Sequence, residues 1–201
     1  MKIASLLVLL VVVLALSSCS ESTGPDEGSQ WNETVVFFDE FSGGLSNWSL
    51  VDPAGGFRVH TTTYYNPNKV LLFKQDNWGT EIEGTATLAN DLYIPTLHDD
   101  VEDRIRLSFG LDSGGNGQNN CRFKLQIAVR PNGSWSTLLD VYDPDSGNDL
   151  QHIMDSPKII DLSGWAGETV GLRLACWISA HGAPAPWVAV DGVRIAREYF
   201  E

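Results

Sequence analysis

The sequence predicts an all-β fold in which two antiparallel sheets form a sandwich. Apolar and polar residues alternate with a period of two at 104–111, 122–130 and 170–178, and this alternation indicates half-buried antiparallel strands. Turn-forming residues separate the runs at 66–68, 114–117, 131–133 and 163–164. Several strands with no convincing helix are typical of a β-sandwich.

The N-terminal segment predicts export. After Met1-Lys2, the run from Ile3 to Leu16 is almost wholly apolar. It is shorter than the ~20 residues of a membrane-spanning helix, but it has the length of a signal-peptide core. The run ends in Leu16-Ser17-Ser18-Cys19, which resembles the bacterial lipobox.

This resemblance implies that residues 1–18 are a lipoprotein signal peptide and that Cys19 carries the lipid. The alternatives are an ordinary signal peptide followed by a chance cysteine, and an uncleaved membrane anchor. We expect an exported protein that is attached to the bacterial cell envelope through its lipid. Because Ser20 rather than Asp follows Cys19, delivery to the outer membrane is expected if the host is Gram-negative.

Composition limits the partners of the chain. The chain has 13 basic and 26 acidic residues, and removal of 1–18 takes away one base, Lys2, and no acid. Nucleic acid is therefore excluded as a partner, because phosphate binding requires a basic excess. Residues 20–33 are polar and rich in Gly and Ser, which predicts a flexible tether over 19–33 and a folded domain over 34–201.

A hairpin and a cysteine pair follow from the strand pattern. The segment 121–142 is expected to be a hairpin that turns at 130–135. Cys121 shares the inward parity of Phe123, and Cys176 shares that of Leu174. A disulfide is possible in an exported protein if the two strands are neighbours, and two buried free thiols are the alternative.

Three segments together resemble a known family. Residues 37–48, 160–174 and 187–195 are similar to the opening strand, the penultimate region and the last strand of jelly-roll domains of the MAM and concanavalin A-like type. The resemblance covers residues 37–195 and implies a jelly-roll sandwich. The fold hosts adhesion, carbohydrate-binding and catalytic members, so it does not by itself imply a function.

The first and last strands usually pair in such a fold, which would bring Asp39 or Glu40 near Asp191. Carboxylates from distant parts of a sequence can bind calcium when they meet at close range. The sequence therefore predicts one structural Ca²⁺ at these residues. The alternative is that Asp39 and Glu40 are solvated strand-end acids and that Asp191 makes a structural hydrogen bond.

Outward positions of the three best strands suggest a ligand face. They are rich in cations and hydrogen-bonding groups, and we expect the following residues to bind ligand: Arg104, Arg106, Arg122, Lys124, Gln126, Arg173 and Trp177. Trp177 would stack on a sugar ring, the polar groups would bind hydroxyls or sugar carboxylates, and the loop residue Trp78 would flank the site. The alternative is an ordinary solvated sheet face.

Catalytic motifs are not found in the sequence. Glu81-Ile-Glu83-Gly84 lacks the further acids of the hydrolase strand, and the four His residues lack metal-ligand spacing. We expect a non-catalytic binding domain for an extracellular or periplasmic glycan. A protein-interaction or adhesion domain of the MAM-like type is the first alternative, and a divergent glycan-active hydrolase or lyase is the second.

Overall fold

The computed structural model describes residues 31–61, 69–75, 81–99, 102–114, 121–142, 157–179 and 186–200. Within these ranges it contains twelve strands and one 3-10 turn at Ser163–Trp165. The strands form two antiparallel six-stranded sheets packed as a sandwich, which confirms the predicted fold class. In this part of the chain, no helix has the length and apolarity needed to cross a membrane.

One sheet, here named the back sheet, is organised around the last strand. Its strands are β1 (Trp31–Asp39), β3 (Phe57–Thr61), β4 (Lys69–Lys74), β7 (Glu102–Gly114), β10 (Lys158–Asp161) and β12 (Trp187–Phe200). Their order is β10-β7-β12-β4-β3, and β1 also pairs with β12. The expected pairing of the first and last strands is thus confirmed, with Asp39 opposite Val193.

The second sheet, the front sheet, contains the predicted hairpin. Its strands are β2 (Trp48–Val51), β5 (Glu81–Leu88), β6 (Leu92–Tyr93), β8 (Cys121–Val129), β9 (Ser136–Tyr142) and β11 (Thr169–Ser179). Their order is β2-β5-β11-β8-β9, and β6 pairs with the start of β11. Strands β8 and β9 are antiparallel neighbours, as predicted for 121–142.

The core lies between the two sheets and follows the predicted parity. From Cys121 to Ile127 on β8, and from Leu172 to Ile178 on β11, the inward residues are almost completely buried and the alternate residues are partly exposed. The pattern is reversed at the end of β8, where Ala128 is buried and Val129, predicted to point inward, is partly exposed. Phe109 of β7 packs against Phe123 of β8 with ring centroids 5.8 Å apart, which joins the two sheets. Burial of these apolar faces is the main stabilising contribution to the fold.

The tether was predicted to extend to residue 33, and this boundary is wrong by three residues. Trp31, Asn32 and Glu33 already belong to β1 and pair with the end of β12. The indole of Trp31 lies 5.5 Å from the ring of Phe200, and the guanidinium of Arg104 lies 4.0 Å from the indole centroid. These ring contacts hold the first residues on the sheet. The predicted signal peptide, Cys19 and the tether up to residue 30 lie outside the described residues.

Candidate ligand-binding groove

The outer face of the front sheet carries three transverse rows of side chains, because antiparallel register aligns the outward residues of neighbouring strands. The tryptophan row consists of Glu83, Trp177, Arg122 and Tyr142. The middle row consists of Val51, Thr85, Ala175, Lys124 and Asp140. The arginine row consists of Ser49, Thr87, Arg173, Gln126 and Thr137.

A groove of about 530 Å³ lies on this face. Residues of all three rows line it, and Thr85 and Ala175 of the middle row contribute small side chains at its centre. The larger Trp177 and Arg173 stand on either side of Ala175 along β11. The small side chains of Thr85 and Ala175 thus form a depression between the larger Trp177 and Arg173.

The tryptophan row supplies the aromatic surface of the groove. Trp177 is half-buried, so part of its indole face is accessible. Tyr142, at the edge of the sheet, is 56% exposed, and the Arg122 guanidinium carbon lies 4.6 Å from its ring centroid. Accessible aromatic faces can pack against the apolar faces of sugar rings while nearby polar groups bind the hydroxyls.

The cations of the middle and tryptophan rows are paired with an acid. Arg122 donates from Nε to Oδ1 of Asp140 at 2.7 Å, and a second bond joins its Nη2 to Oδ2. Lys124 Nζ lies 3.7 Å from the same carboxylate. The hydrogen bond from Arg122 lowers the pKa of Asp140 and raises that of Arg122, so both side chains stay ionised at neutral pH.

The arginine row has a different electrostatic setting. Arg173 donates from Nε to Oε1 of Gln126 at 2.9 Å, and its guanidinium carbon lies 4.2 Å from the indole centroid of Trp135. Arg130 contacts the same indole at 4.8 Å and donates to Asp91 at 3.0 Å. Burial, and then the nearby charge of Arg130, lower the pKa of Arg173.

Arg130 reaches this position because Gly171 leaves space for it. A Cβ atom on Gly171 would collide with the guanidinium group of Arg130. The absence of a side chain on Gly171 therefore lets the arginine lie over β11, within reach of Trp135.

The structure brings five residues of the predicted ligand face together and places two others on the opposite sheet. Arg122, Lys124, Gln126, Arg173 and Trp177 line the groove together. Arg104 and Arg106 lie on β7 in the back sheet, so they cannot share this face. Both lie near Glu198 instead, with nitrogen–oxygen distances of 2.7 and 3.5 Å. Trp78 lies outside the described residues.

Sequence reasoning missed several residues of the site, among them Asp140, Tyr142, Glu83 and Trp135. Tyr142 and Glu83 are brought to the tryptophan row by strand register, and Trp135 is placed by the turn between β8 and β9. Alternation within β5 gives the outward parity of Glu83. Which strand lies beside which, however, is not contained in the local pattern.

The residues predicted to bind calcium are placed as follows. Asp39 is buried and accepts hydrogen bonds from the backbone N–H of Phe41, from Asn47 and from Trp48. Glu40 is exposed, and Asp191 is 1% exposed on β12. In the described ranges, no group of three or more acidic, His or Cys side chains is arranged to hold a metal ion. The three donors account for the burial of Asp39 without a metal.

The two cysteines occupy neighbouring strands. Cys121 is opposite Ile178, and Cys176 is opposite Phe123, so the cysteines are diagonal partners on the inward face. Diagonal Cα atoms in a sheet are ~7–8 Å apart, which exceeds the usual disulfide span. The structure accordingly has two buried free thiols, the second of the two alternatives drawn from the sequence, and no disulfide joins Cys121 to Cys176.

Comparisons with known proteins identify the fold and no family. No family model matches the chain, and no curated protein matches it. Among solved structures, the K3 cleaved adhesin domain of Lys-gingipain from Porphyromonas gingivalis w83 is similar, with a TM-score of 0.52 and 12% identity over 82% of this chain and 99% of that one. At this identity the likeness shows a shared β-sandwich fold alone.

Two further structures are similar at lower scores. The K2 cleaved adhesin domain of Lys-gingipain has a TM-score of 0.48 and 10% identity, over 79% of this chain and 96% of that one. A carbohydrate-binding module with specific mannan recognition has a TM-score of 0.45 and 12% identity, over 82% and 98%. These scores are too low to carry an argument about function, so the chain is identified only as a two-sheet β-sandwich domain.

Proposed function

We propose that this chain is an exported, lipid-anchored, non-catalytic binding domain whose groove on the front sheet takes an oligosaccharide. The observation that carries the proposal is the arrangement of the three rows. A partly exposed indole lies beside the small side chains of Thr85 and Ala175, and charged and amide groups flank it. Sugar recognition needs this combination of an apolar platform and fixed hydrogen-bonding groups.

The carboxylates of the groove support binding rather than catalysis. Asp140 is held ionised by Arg122, whereas a glycosidase needs one carboxyl group that keeps a proton. Glu83 on β5 is three strands away from Asp140, a spacing of ~14 Å at ~4.8 Å per strand. That exceeds the separation of catalytic carboxylate pairs. Glu81, on the same face, instead accepts from Ser179.

The test is binding of the purified full-length chain to an array of neutral and acidic oligosaccharides, followed by calorimetry of the glycans that bind. Trp177→Ala removes the platform and is expected to weaken binding about 10-fold or more. Trp31→Ala makes the same chemical change on the back sheet and should leave binding intact. If Trp177→Ala and the parent bind equally, or if no glycan binds, the proposal is overturned.

A protein-adhesion domain is the second candidate. It is favoured by exposed apolar side chains on the back sheet, since Val35, Phe38 and Ile159 are 50%, 51% and 57% exposed. The similar gingipain domain is itself described as an adhesin. Co-purification of a protein partner that is lost on Phe38→Ser, together with failure of every glycan to bind, would favour this candidate.

A further inference from the structure

The two ends of the groove differ in charge. In the tryptophan and middle rows, Arg122 and Lys124 face Asp140, and Glu83 is a further acid. Beside the arginine row, Arg130 is paired with Asp91. Arg173 is the exception, because no carboxylate in the described part of the chain lies within ion-pair distance of it. One cation of the groove is thus left without an acidic partner.

This cation is held in a fixed orientation. Its Nε donates to Gln126, whose own Nε2 lies 3.3 Å from Oγ1 of Thr137. Its plane is supported by the indole of Trp135 at 4.2 Å. With Nε committed to the amide, the terminal nitrogens Nη1 and Nη2 remain as donors for a ligand. Paired guanidinium nitrogens match the two oxygens of a carboxylate.

The neighbourhood makes an anion favourable at this point. Arg130 shares the Trp135 indole with Arg173 and adds a like charge, and both burial and this charge disfavour the protonated form of Arg173. A bound carboxylate would relieve the repulsion and replace part of the lost hydration. A neutral hydroxyl can accept a hydrogen bond, but it carries no charge to offset the repulsion.

The distance along β11 sets the size of the ligand. Trp177 and Arg173 are four residues apart on the same face, which is ~13 Å at ~3.3 Å per residue. One sugar ring is too short to contact both side chains. A ligand that stacks on the indole and reaches the arginine must contain several linked rings.

We propose that the groove selects an acidic oligosaccharide, with one ring stacked on Trp177 and a uronic acid carboxylate bound by the terminal nitrogens of Arg173. The proposal rests on the proposed function, since it specifies the ligand of the same groove. Arg173 is the specificity-determining residue, and Gln126 and Trp135 are its positioning residues.

The experiment uses uronic acid oligosaccharides, including oligogalacturonates, oligomannuronates and hyaluronan fragments, each beside its carboxyl-reduced derivative. Reduction converts the carboxylate to a hydroxymethyl group and leaves the rings and linkages unchanged. Calorimetry with the full-length chain is expected to show about 10- to 100-fold weaker binding of the reduced form, as for the loss of a charge-assisted hydrogen-bonded pair. Arg173→Gln should remove this preference, and Arg173→Lys should retain part of it.

Two control variants make the result specific. Arg122 lies in the same groove, and Arg122→Gln should weaken the binding of the acidic and the reduced oligosaccharide by the same factor, so that the ratio of the two affinities is unchanged. Arg106→Gln lies on the back sheet and should leave both affinities unchanged. Equal binding of the acidic and reduced forms, or a ratio unaffected by Arg173→Gln, overturns the acidic specificity while glycan binding itself stands. Failure of every neutral and acidic glycan overturns the proposed function as well.

Discussion

The carboxylate of Asp39 accepts the indole N–H of Trp48 at 2.8 Å and so ties the end of β1 in the back sheet to the start of β2 in the front sheet. Its other oxygen accepts the backbone N–H of Phe41 at 2.7 Å. Phe41 has a left-handed backbone with φ of 56° and a fully buried ring. A single acid thus fixes a strained turn and the closure between the two sheets at this end of the sandwich.

We predict that Asp39→Ala lowers the free energy of unfolding by roughly 2–4 kcal/mol, because buried donors lose their acceptor. Urea denaturation at neutral pH measures this change. Glu40→Ala, one residue away and exposed, is the control and should change stability by less than ~0.5 kcal/mol. Equal stability of Asp39→Ala and the parent would show that these hydrogen bonds do not hold the turn.

The sequence also predicts a calcium ion near Asp39, Glu40 and Asp191, and this prediction needs its own test. A ligand that binds only the folded state raises the melting temperature. The proposal therefore expects chelation with EDTA to lower the melting temperature and added Ca²⁺ to restore it. Identical melting temperatures with and without EDTA would leave hydrogen bonding as the role of Asp39.

The pair of Asp103 and Arg197 predicts acid sensitivity. Arg197 donates from Nε to both oxygens of Asp103, at 3.0 and 2.9 Å, and joins β12 to β7. The Asp103 side chain is 1% exposed, and these bonds hold its pKa below the ordinary 3.8. Its stabilising contribution is complete above the pKa of the unfolded chain, near 3.8, and is lost as pH falls toward the lower pKa of the folded state.

Asp103→Asn should therefore cost roughly 2–4 kcal/mol at pH 7, and the difference from the parent should shrink steadily below about pH 4. Urea titrations at pH 7, 4, 3 and 2 provide the comparison. Asp140→Asn removes an acid from a pair in which both side chains are about one-third exposed, so it should cost less than ~1 kcal/mol at pH 7. A pH-independent difference for Asp103→Asn would contradict the proposed titration.

The thiols give a prediction about reactivity. Burial raises the pKa of Cys176, which disfavours its thiolate at pH 8, and Cys121 is buried beside it, where a reagent in solution does not reach it. We expect a thiol reagent such as DTNB to modify neither cysteine in buffer and both in denaturant. A disulfide would instead require a reductant before the denatured chain reacts. A third reactive thiol would show that Cys19 does not carry a lipid.

The sequence predicted the strands well because inward and outward parity is a local property. The alternation in 122–130 and 170–178 correctly separated Cys121 and Phe123 from Arg122 and Lys124. Parity cannot say which sheet a strand joins. Arg104 and Arg106 have the same outward parity as Arg122, yet they lie on the outer face of the back sheet, whereas Arg122 lies on the outer face of the front sheet.

Two features of the groove depended on geometry that no local pattern contains. The register shift between Leu125 and Gln126 on β8 decides which residues of β9 lie beside the groove. Trp135 reaches Arg173 only through the turn that follows β8. Irregular backbone of this kind is set by tertiary contacts rather than by alternation, so the contact of Trp135 with Arg173 and the neighbours that β9 supplies could not be predicted.

The central position of β12 has a consequence for the order in which the sheets of the protein can fold. Residues 187–200 pair with β7 on one side and with β4 and β1 on the other. Until the ribosome has added these residues, three strands made much earlier lack their common neighbour, and closing such distant contacts is slow. We therefore expect the back sheet to assemble only after β12 has been synthesised, so a chain truncated before residue 187 should lack a folded back sheet.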